Sequence, residues 1–277
     1  MIQDIYPHRF SNDYIGNRKM DKDDIILYYK YDSFLLKSCG DKFSLPQKRD
    51  FPEISDKTRS TFLFSLNDIS CYLVWDDLST DQPEFIYKEI NFFRHTNQQE
   101  IAWASMVGYH LMNWYAQNRF CGKCGAETEE KQDERALVCT TCSSIIYPRI
   151  SPAVIAAIIC KDKILLARGA NWPGDWYSCI AGYVDVGESI EEALQREAKE
   201  EVGLDIKNIR YYKSQPWPLS GSMMIGFVAE ADDRQRIVVE EKEIAEAKWF
   251  HRSELPKYSS KISIAGEMIE KFQKGAL

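Results

Sequence analysis

The 277-residue sequence lacks the long apolar and basic runs that would assign it to a membrane or to a nucleic acid. No run reaches 18 apolar residues, so we expect no transmembrane helix. The first ten residues, MIQDIYPHRF, are neither apolar nor arginine-rich, which predicts no signal or transit peptide. The net charge of −7, without a long basic run, disfavours broad binding to nucleic-acid phosphates. An ordinary soluble globular protein is therefore expected.

Histidine and cysteine are used in a way that disfavours catalysis by a side-chain nucleophile. The four histidines are scattered, and no Ser-His-Asp or Cys-His arrangement is visible. Of the eight cysteines, four fall in two CxxC pairs, whereas Cys39, Cys71, Cys160 and Cys179 are scattered. We interpret the scattered four as buried free thiols. Because this usage suits a reducing compartment, we expect a cytoplasmic location.

The most specific pattern is the acidic segment GYVDVGESIEEALQREAKEEVGL, which runs from Gly182 to Leu204. Glu197, Glu200 and Glu201 stand at i, i+3 and i+4, so their carboxylates share one face if the segment is helical. These like charges repel one another, and a bound cation would relieve the repulsion. Mg²⁺ and Mn²⁺ prefer such oxygen ligands, and Mg²⁺ usually binds together with substrate phosphates. The segment therefore predicts a divalent-metal site for phosphate chemistry; the alternative is a solvated acidic helix.

Four cysteines form the second pattern, C-x2-C-x14-C-x2-C, made by Cys121, Cys124, Cys139 and Cys142. Two such pairs predict a closed tetrahedral zinc site, which is structural rather than catalytic. The alternatives are redox or disulfide pairs and a nucleic-acid-binding ribbon. No thioredoxin-like context surrounds either pair. The spacer carries five acidic residues against two basic ones, which argues against binding to nucleic-acid phosphates.

Apolar periodicity divides the chain into a strand-rich first third, the cysteine segment and a mixed α/β remainder. The first 95 residues alternate short apolar runs with turn residues, and a helical period follows from Asn97 to Asn118. Strands are predicted later in the chain at residues 153–160, 164–167, 176–184, 209–213, 223–229 and 248–250. Gly203 is predicted to end the acidic helix, and a closing helix is predicted at residues 262–272. The remainder is therefore expected to be a mixed sheet with helices on its faces.

These motifs resemble a known family. The acidic segment matches the Nudix hydrolase signature G-x5-E-x7-R-E-x-x-E-E-x-G at every fixed position. A four-cysteine ribbon directly before it is similar to the NADH pyrophosphatase branch of that family. The later segment SQPWPLSGS, residues 214–222, is similar to that branch's specificity motif SQPWPFPxS, from which Leu219 and Ser220 depart. The resemblance implies an α/β (α+β) fold: a Nudix α/β/α sandwich with a mixed sheet, preceded by a zinc ribbon and an N-terminal mixed α/β domain.

The resemblance also implies domain boundaries and site residues. The domains would be an N-terminal α/β domain at 1–117 that could be a degenerate Nudix copy, a ribbon at 118–148 and a catalytic Nudix domain at 149–277. The catalytic glutamates would be Glu197, Glu200 and Glu201. The ligands of Mg²⁺ or Mn²⁺ would be Glu197, Glu200, Glu201, Glu243 and the backbone carbonyl of Ala181. The substrate contacts would be Glu134, Tyr147, Tyr183, Gln215, Trp217, Ser222 and Ala265.

The implied reaction is metal-dependent hydrolysis of the pyrophosphate bond of NADH or NAD⁺, which yields nicotinamide mononucleotide and AMP. Glu201 or Glu200 would hold or deprotonate the attacking water. NAD-capped RNA 5′ ends are a further expected substrate, and the family resemblance implies a homodimer. The alternatives are a Nudix hydrolase of another nucleoside diphosphate derivative and a non-catalytic nucleotide-sensing zinc-ribbon regulator.

Overall fold

The computed structural model describes residues 1–16, 18–94, 96–172, 174–258 and 262–277. The chain divides into two compact units. The first unit contains Ile2–Arg149 together with Pro218–Ser220, and the second contains Met1, Ile150–Trp217 and Gly221–Leu277. Among the described residues, none of the helices has the length and apolar character needed to cross a membrane.

The first unit begins with eight strands and one long helix. They are β1 (Phe10–Ser11), β2 (Ile25–Leu27), β3 (Tyr29–Lys30), β4 (Ser33–Cys39), β5 (Lys42–Ser44), β6 (Ser60–Leu66), β7 (Ile69–Val74), β8 (Phe85–Glu89) and α1 (Gln99–Gln117). One sheet has the order β1-β6-β7-β2, and the other has the order β3-β4-β5 with β8 paired to β4. The helix buries Trp103, Met106 and Trp114. The strand-rich start and the helix predicted over this region are therefore confirmed.

The four-cysteine segment forms a small three-stranded sheet that completes the first unit. Its strands are β9 (Thr128–Glu130), β10 (Leu137–Cys139) and β11 (Ile145–Ile146), in the order β11-β10-β9. The Glu130 carboxylate accepts a hydrogen bond of 2.6 Å from the hydroxyl of Thr61 on β6. Arg135 donates to the Leu63 carbonyl on the same strand. Burial raises the pKa of Glu130, and the Thr61 hydrogen bond opposes that rise. The ribbon therefore packs against β6 through partly buried polar contacts.

The second unit is a mixed six-stranded sheet. Its strands are β12 (Ser151–Cys160), β13 (Lys163–Gly169), β14 (Ile180–Tyr183), β15 (Lys207–Trp217), β16 (Ser222–Glu230) and β17 (Ile244–His251). The order is β15-β16-β12-β13-β17, with β14 paired to β12 beside the end of β13. The β12–β16 pair is parallel, and the other strand pairs are antiparallel. β15 is an edge strand, which explains how Pro216, which has no N–H to donate, fits within it.

Two helices cover the two faces of this sheet, namely α2 (Ile190–Val202) and α3 (Ile264–Gln273). Successive β12 side chains point to opposite faces. Val154 and Ala156 therefore join the core beneath α2, whereas Ile155 and Ala157 join the core beneath α3. This arrangement is an α/β/α sandwich, as the resemblance implied.

Local sequence sets the ends of α2. The Ser189 side chain accepts a hydrogen bond from the Glu192 amide, and the Glu192 side chain binds back to the Ser189 backbone, so the two residues form a capping box. At the other end Gly203 has φ of 75°, a left-handed conformation that costs glycine little. The predicted helix end at Gly203 is therefore confirmed.

Two expectations from the sequence were wrong in part. The strand predicted at residues 176–184 begins only at Ile180, because the preceding residues form a loop in which Trp176 stacks on Trp172. The scattered cysteines are free, as predicted, but only two of them are buried: Cys39 is exposed and Cys160 is half-buried. Cys39 lies near the end of β4, beside the turn into β5, where its side chain faces solvent.

Candidate active site

The acidic segment forms a strand–loop–helix that places two carboxylates beneath β14. Glu197 and Glu201 lie on the sheet-facing side of α2, each only 8% exposed, whereas Glu200 is exposed. A Cβ atom on Gly182 would overlap the Glu197 carboxylate. Glycine at position 182 therefore lets the carboxylate lie directly against the backbone of β14. The three glutamates therefore do not share one environment as predicted: Glu197 and Glu201 are buried against the sheet, and Glu200 is exposed to solvent.

Arg196 is the cation that holds this acidic segment together. Its guanidinium donates to Glu188 at 2.6 and 2.9 Å, to Glu197 at 2.8 Å, to Glu200 at 2.9 Å and to the Tyr183 carbonyl at 2.9 Å. The hydrogen bonds from Arg196 lower the pKa of Glu188 to about 2, with a further contribution from the Asp185 amide. Arg196 and Glu188 therefore fix the loop and the start of the helix.

The environment of the two buried carboxylates favours their protonated forms. Burial, together with the negative charges of Glu197 and Glu243, raises the pKa of Glu201 to about 8, and a hydrogen bond with the Ala181 backbone opposes that rise. Burial also raises the pKa of Glu197, and Arg196 opposes that rise. A divalent cation among these oxygens would favour the ionised forms. The donor chemistry therefore fits a hard cation such as Mg²⁺ or Mn²⁺.

A groove of about 420 Å³ lies beside these carboxylates and is lined by Glu200, Glu240, Lys242 and Glu243. The Glu240 amide donates to the Glu201 carbonyl at 3.1 Å, which ties the turn before β17 to the end of α2. The turn thus brings Glu243 to the same groove as Glu200. Sequence reasoning did not single out Glu240 and Lys242, although both lie within three residues of the predicted Glu243.

The candidate glutamates are neighbours, but their oxygens do not converge as tightly as the cysteine sulfurs do. Within the described residues, the four-cysteine set alone has its potential ligand atoms all within 4.8 Å of one another. Arg196 accounts for part of the difference, because it draws Glu197 and Glu200 toward its guanidinium. The assignment of these glutamates as metal ligands therefore remains a prediction.

The predicted substrate residues of the second unit fall into two groups. The Tyr183 hydroxyl lies 3.2 Å from the Ser222 hydroxyl, and Tyr183 remains 52% exposed. Trp217 is half-buried and pairs with Ser222 across the β15–β16 hairpin. Tyr183 is therefore the exposed member of this group, whereas Trp217 is half-buried and Ser222 is buried.

Gln215 and Ala265 form the second group, which lies inside the unit. Gln215 is fully buried, and its amide donates to the Ile262 carbonyl at 2.8 Å while accepting from the Ile264 amide at 2.6 Å. Ala265, in the first turn of α3, is 3% exposed. The Gln215 side chain thus fastens the start of α3 to β15, and its predicted contact with substrate remains a prediction.

Glu134 and Tyr147 belong to the first unit, where they lie together on the ribbon. The Tyr147 hydroxyl donates to the Glu134 carboxylate at 3.2 Å, and Lys131 forms an ion pair of 3.0 Å with the same carboxylate. The hydrogen bond to Glu134 raises the pKa of Tyr147, which is 55% exposed. Both residues are therefore paired with each other and accessible on the ribbon surface.

The four ribbon cysteines converge as a metal site would require. The Cys121 and Cys142 sulfurs lie 3.6 Å apart, and those of Cys124 and Cys139 lie 3.4 Å apart. All four are free thiols. Hydrogen bonding with the side chain and amide of Ser144 lowers the pKa of Cys142 to about 6, which favours the thiolate that metals bind. The set fits a tetrahedral Zn²⁺ site, and it does not fit disulfides.

Comparisons with known proteins agree with this geometry. The NUDIX domain family matches residues 150–272, the NADH pyrophosphatase zinc ribbon domain matches residues 116–147, and the NADH pyrophosphatase-like rudimentary NUDIX domain matches residues 23–114. The chain therefore belongs to the Nudix hydrolase family. Because all three matches occur in order along the chain, it belongs more narrowly to the NADH pyrophosphatase branch.

Individual relatives match part of the chain. The NAD-capped RNA hydrolase NudC of Stutzerimonas stutzeri is 42% identical over 167 residues, which is 60% of this chain and 60% of that protein. The protein of the same name from Pseudomonas syringae is 43% identical over 169 residues, again 60% of each chain. The matched region thus spans about 60% of the length of these relatives. The solved NUDIX hydrolase of Nitrosomonas europaea is 21% identical, with a TM-score of 0.49 over 56% of this chain and 91% of that chain.

The ribbon site yields a test of metal content. Cys139→Ser should release zinc and destabilise the protein, because a closed structural site contributes folding energy directly. Elemental analysis of protein purified without chelator should find about one zinc per chain before the substitution. Cys39→Ser, which changes an exposed cysteine outside the cluster, should leave the zinc content unchanged. Wild-type protein without zinc, or full zinc retention by Cys139→Ser, would contradict the site.

The buried carboxylate yields a test of stability against pH. Glu201 has a folded pKa of about 8 against an ordinary value of 4.5, so between those values the folded state holds a proton that the unfolded state has lost. The free energy of unfolding should therefore fall as the pH rises from about 5 to 8 without added divalent cation. The effect is on the order of a few kcal/mol, since one pKa unit is worth about 1.4 kcal/mol.

Glu201→Gln removes the ionisation and should flatten that part of the pH profile. Urea unfolding at pH 5 and pH 8 measures the effect, and at pH 8 the variant should be more stable than the wild type. Glu200→Gln serves as the control, because Glu200 is exposed and its substitution should leave the profile unchanged. If the free energy of unfolding of Glu201→Gln changes with pH as that of the wild type does, then ionisation of Glu201 does not destabilise the folded state and the prediction is wrong.

Proposed function

We propose that this protein hydrolyses the pyrophosphate bond of NADH or NAD⁺ and releases nicotinamide mononucleotide and AMP. One observation carries the proposal: the buried carboxylates of Glu197, against Gly182, and Glu201, hydrogen-bonded to the Ala181 backbone, occur in a chain that also has the zinc ribbon of NADH pyrophosphatases. The curated relatives are named NAD-capped RNA hydrolases, so we propose NAD-capped RNA 5′ ends as a further substrate.

The proposed metal site consists of oxygen donors from three elements. Glu197 and Glu201 on α2, Glu243 before β17 and the Ala181 carbonyl on β14 would hold Mg²⁺ or Mn²⁺, and Glu200 would bind a further ion or support the others. The assignment of these ligands is supported by the burial of the carboxylates and by their mutual repulsion, because a hard cation would relieve that repulsion. When bound, such a cation neutralises the charge that grows on the phosphate oxygens.

The remaining groups position the reactants. Arg196 holds the Glu197 and Glu200 carboxylates at 2.8 and 2.9 Å, which fixes the positions of both side chains. Glu201 or Glu200 would hold the attacking water or accept its proton. Tyr183, with its ring half exposed and its hydroxyl beside Ser222, offers a stacking face and a polar contact for one end of the substrate.

The other proposed substrate contacts extend this set. Trp217 offers a second aromatic face next to Ser222. Gln215 and Ala265 would act at the start of α3, whose backbone Gln215 holds. Glu134 and Tyr147 would contribute from the ribbon, where both are accessible. These assignments follow the family resemblance.

A second substrate class is favoured by one feature of the specificity motif. Leu219 and Ser220 replace a phenylalanine and a proline of the branch pattern, so the segment is less aromatic and less rigid. Another nucleoside diphosphate derivative is therefore the competing substrate. A non-catalytic sensor is disfavoured, because a sensor need not keep all the glutamates of the acidic segment, and all of them are present.

We also propose the organisation in which this activity occurs. The domains would comprise residues 1–117, 118–148 and 149–277, in a cytoplasmic homodimer. The free cysteines support a reducing compartment. Exposed apolar side chains on the ribbon, namely Phe120, Ile145 and Tyr147, supply surface for a second copy. Analytical ultracentrifugation should give twice the mass of the chain, and a monomer at all concentrations would contradict the dimer.

A substrate panel tests the activity. The wild-type protein with Mg²⁺ or Mn²⁺ should convert NADH and NAD⁺ to the two mononucleotides, identified by mass, and should remove the NAD cap from RNA. ADP-ribose serves as the comparison, because it keeps the pyrophosphate and adenosine but lacks nicotinamide. Cleavage of ADP-ribose without cleavage of either dinucleotide would overturn the proposed substrate and favour the competing class.

Two glutamates in one turn test the metal assignment. Glu243→Gln should lower kcat at least ~100-fold, because a lost ligand weakens stabilisation of charge in the transition state. Glu241→Gln is the matched control, since Glu241 is also exposed and lies two residues away but does not line the groove. The measurement is kcat over a titration of Mg²⁺. Equal activity of the two variants at saturating metal would exclude Glu243 as a ligand.

A further inference from the structure

Two tryptophans form a stacked pair on a loop of the second unit. The Trp172 and Trp176 rings lie 4.1 Å apart at their centroids with an interplanar angle of 11°. Trp172 remains 37% exposed, and neither ring belongs to the two hydrophobic cores of the unit. A parallel indole pair at the surface presents a flat aromatic face, which is the shape that a planar base stacks on.

The fold fixes the position of this pair beside the candidate metal site. Ala167 bridges Ser178, so the tryptophans lie in the loop that connects β13 to β14. A Cβ on Gly169 would come within 2.6 Å of the Trp172 ring, so the absence of a side chain there lets the indole lie against the backbone. The Ala170 amide donates to the Glu243 carbonyl at 2.8 Å. The loop is thus tied to the turn that carries Glu243.

The strand pairing gives this pair and Tyr183 different neighbours in the sheet. Tyr183 reaches Ser222 on β16, which is on one side of β12. The tryptophan loop joins β13 and the start of β17, which are on the other side. Glu197 lies against Gly182, the residue before Tyr183 on β14. A dinucleotide has one ring on each side of its pyrophosphate, so it requires ring contacts on both sides of the groups that bind its phosphates.

We infer that the Trp172–Trp176 stack is the platform for the adenine ring of the dinucleotide. The inference rests on the proposed function and adds the placement of the AMP half. The two-ring indole offers a face that matches the two-ring purine, whereas the single ring of nicotinamide would cover less of it. The Tyr183 side is then left to the nicotinamide half, and the pyrophosphate lies across the carboxylates.

Kinetics of paired variants test the platform. Trp172→Ala should lower kcat/KM for NADH about 10- to 100-fold, mainly through KM, because base stacking is worth that factor. Trp172→Phe, which keeps an aromatic face, should recover most of the loss. Tyr211→Ala is the matched control, since it removes a 62% exposed aromatic side chain from β15 at the far edge of the sheet. Trp172→Ala kinetics within twofold of wild type in an active enzyme would overturn the inference.

A binding measurement separates the platform from the reaction. With Mg²⁺ present, AMP should quench tryptophan fluorescence of the wild type more strongly than ribose 5-phosphate does, and Trp172→Phe should lose that difference. Quenching by nicotinamide mononucleotide but not by AMP would overturn the adenine assignment. A wild type that does not hydrolyse NADH, yet shows the AMP signal and loses it in Trp172→Phe, would refute the proposed function while supporting the platform.

Discussion

The placement of two carboxylates beneath a sheet strand is the constraint on which the rest of the second unit depends. Glu197 and Glu201 are each only 8% exposed, and burial of like charges this close is costly. The fold offsets this cost at Glu197, because Arg196 forms an ion pair with its carboxylate. Glu201 is hydrogen-bonded to the Ala181 backbone instead, and its pKa rises to about 8. Within the part of the chain that the structure describes, no side-chain cation pairs with Glu201, so the unit is arranged for a positive charge at this carboxylate.

Several local features serve this arrangement. Glycine at 182 gives the Glu197 carboxylate access to the backbone of β14. The capping box at Ser189 and the left-handed Gly203 set where α2 begins and ends, and so which side chains point at the sheet. The Glu188–Arg196 pair fixes the loop that precedes the helix. The spacing of the glutamates thus has meaning only because both ends of the helix are specified, since a shift of one residue would rotate the carboxylates by about 100°.

Much of this could be predicted from the sequence because it is encoded locally. Helical spacing of Glu197 and Glu201, the helix end at Gly203 and the convergence of the CxxC pairs depend on short-range geometry. The division of the acidic face was not visible, because the sequence does not state which side of α2 meets β14. Pairing between distant segments was also not visible. Trp172 and Trp176 are brought into contact by a loop whose shape depends on the bridge from Ala167 to Ser178.

The specificity motif shows how one short segment serves two purposes. Residues two apart on a strand share a face, so Gln215 and Trp217 project to the same side of β15. Gln215 lies inside the unit, where its amide holds the backbone at Ile262 and Ile264. Trp217 lies at the end of the strand, half-buried and opposite Ser222.

The edge position of β15 makes this division possible. Pro216 between the two residues has no N–H to offer to a further strand, so the outer edge at this point is unsuited to continued pairing. A strand fixed at Gln215 and ended one residue after Pro216 holds Trp217 in a defined place next to the Tyr183–Ser222 pair. The buried glutamine therefore acts on the surface indirectly: by fastening β15 to the start of α3, it sets where the aromatic face at its end can lie.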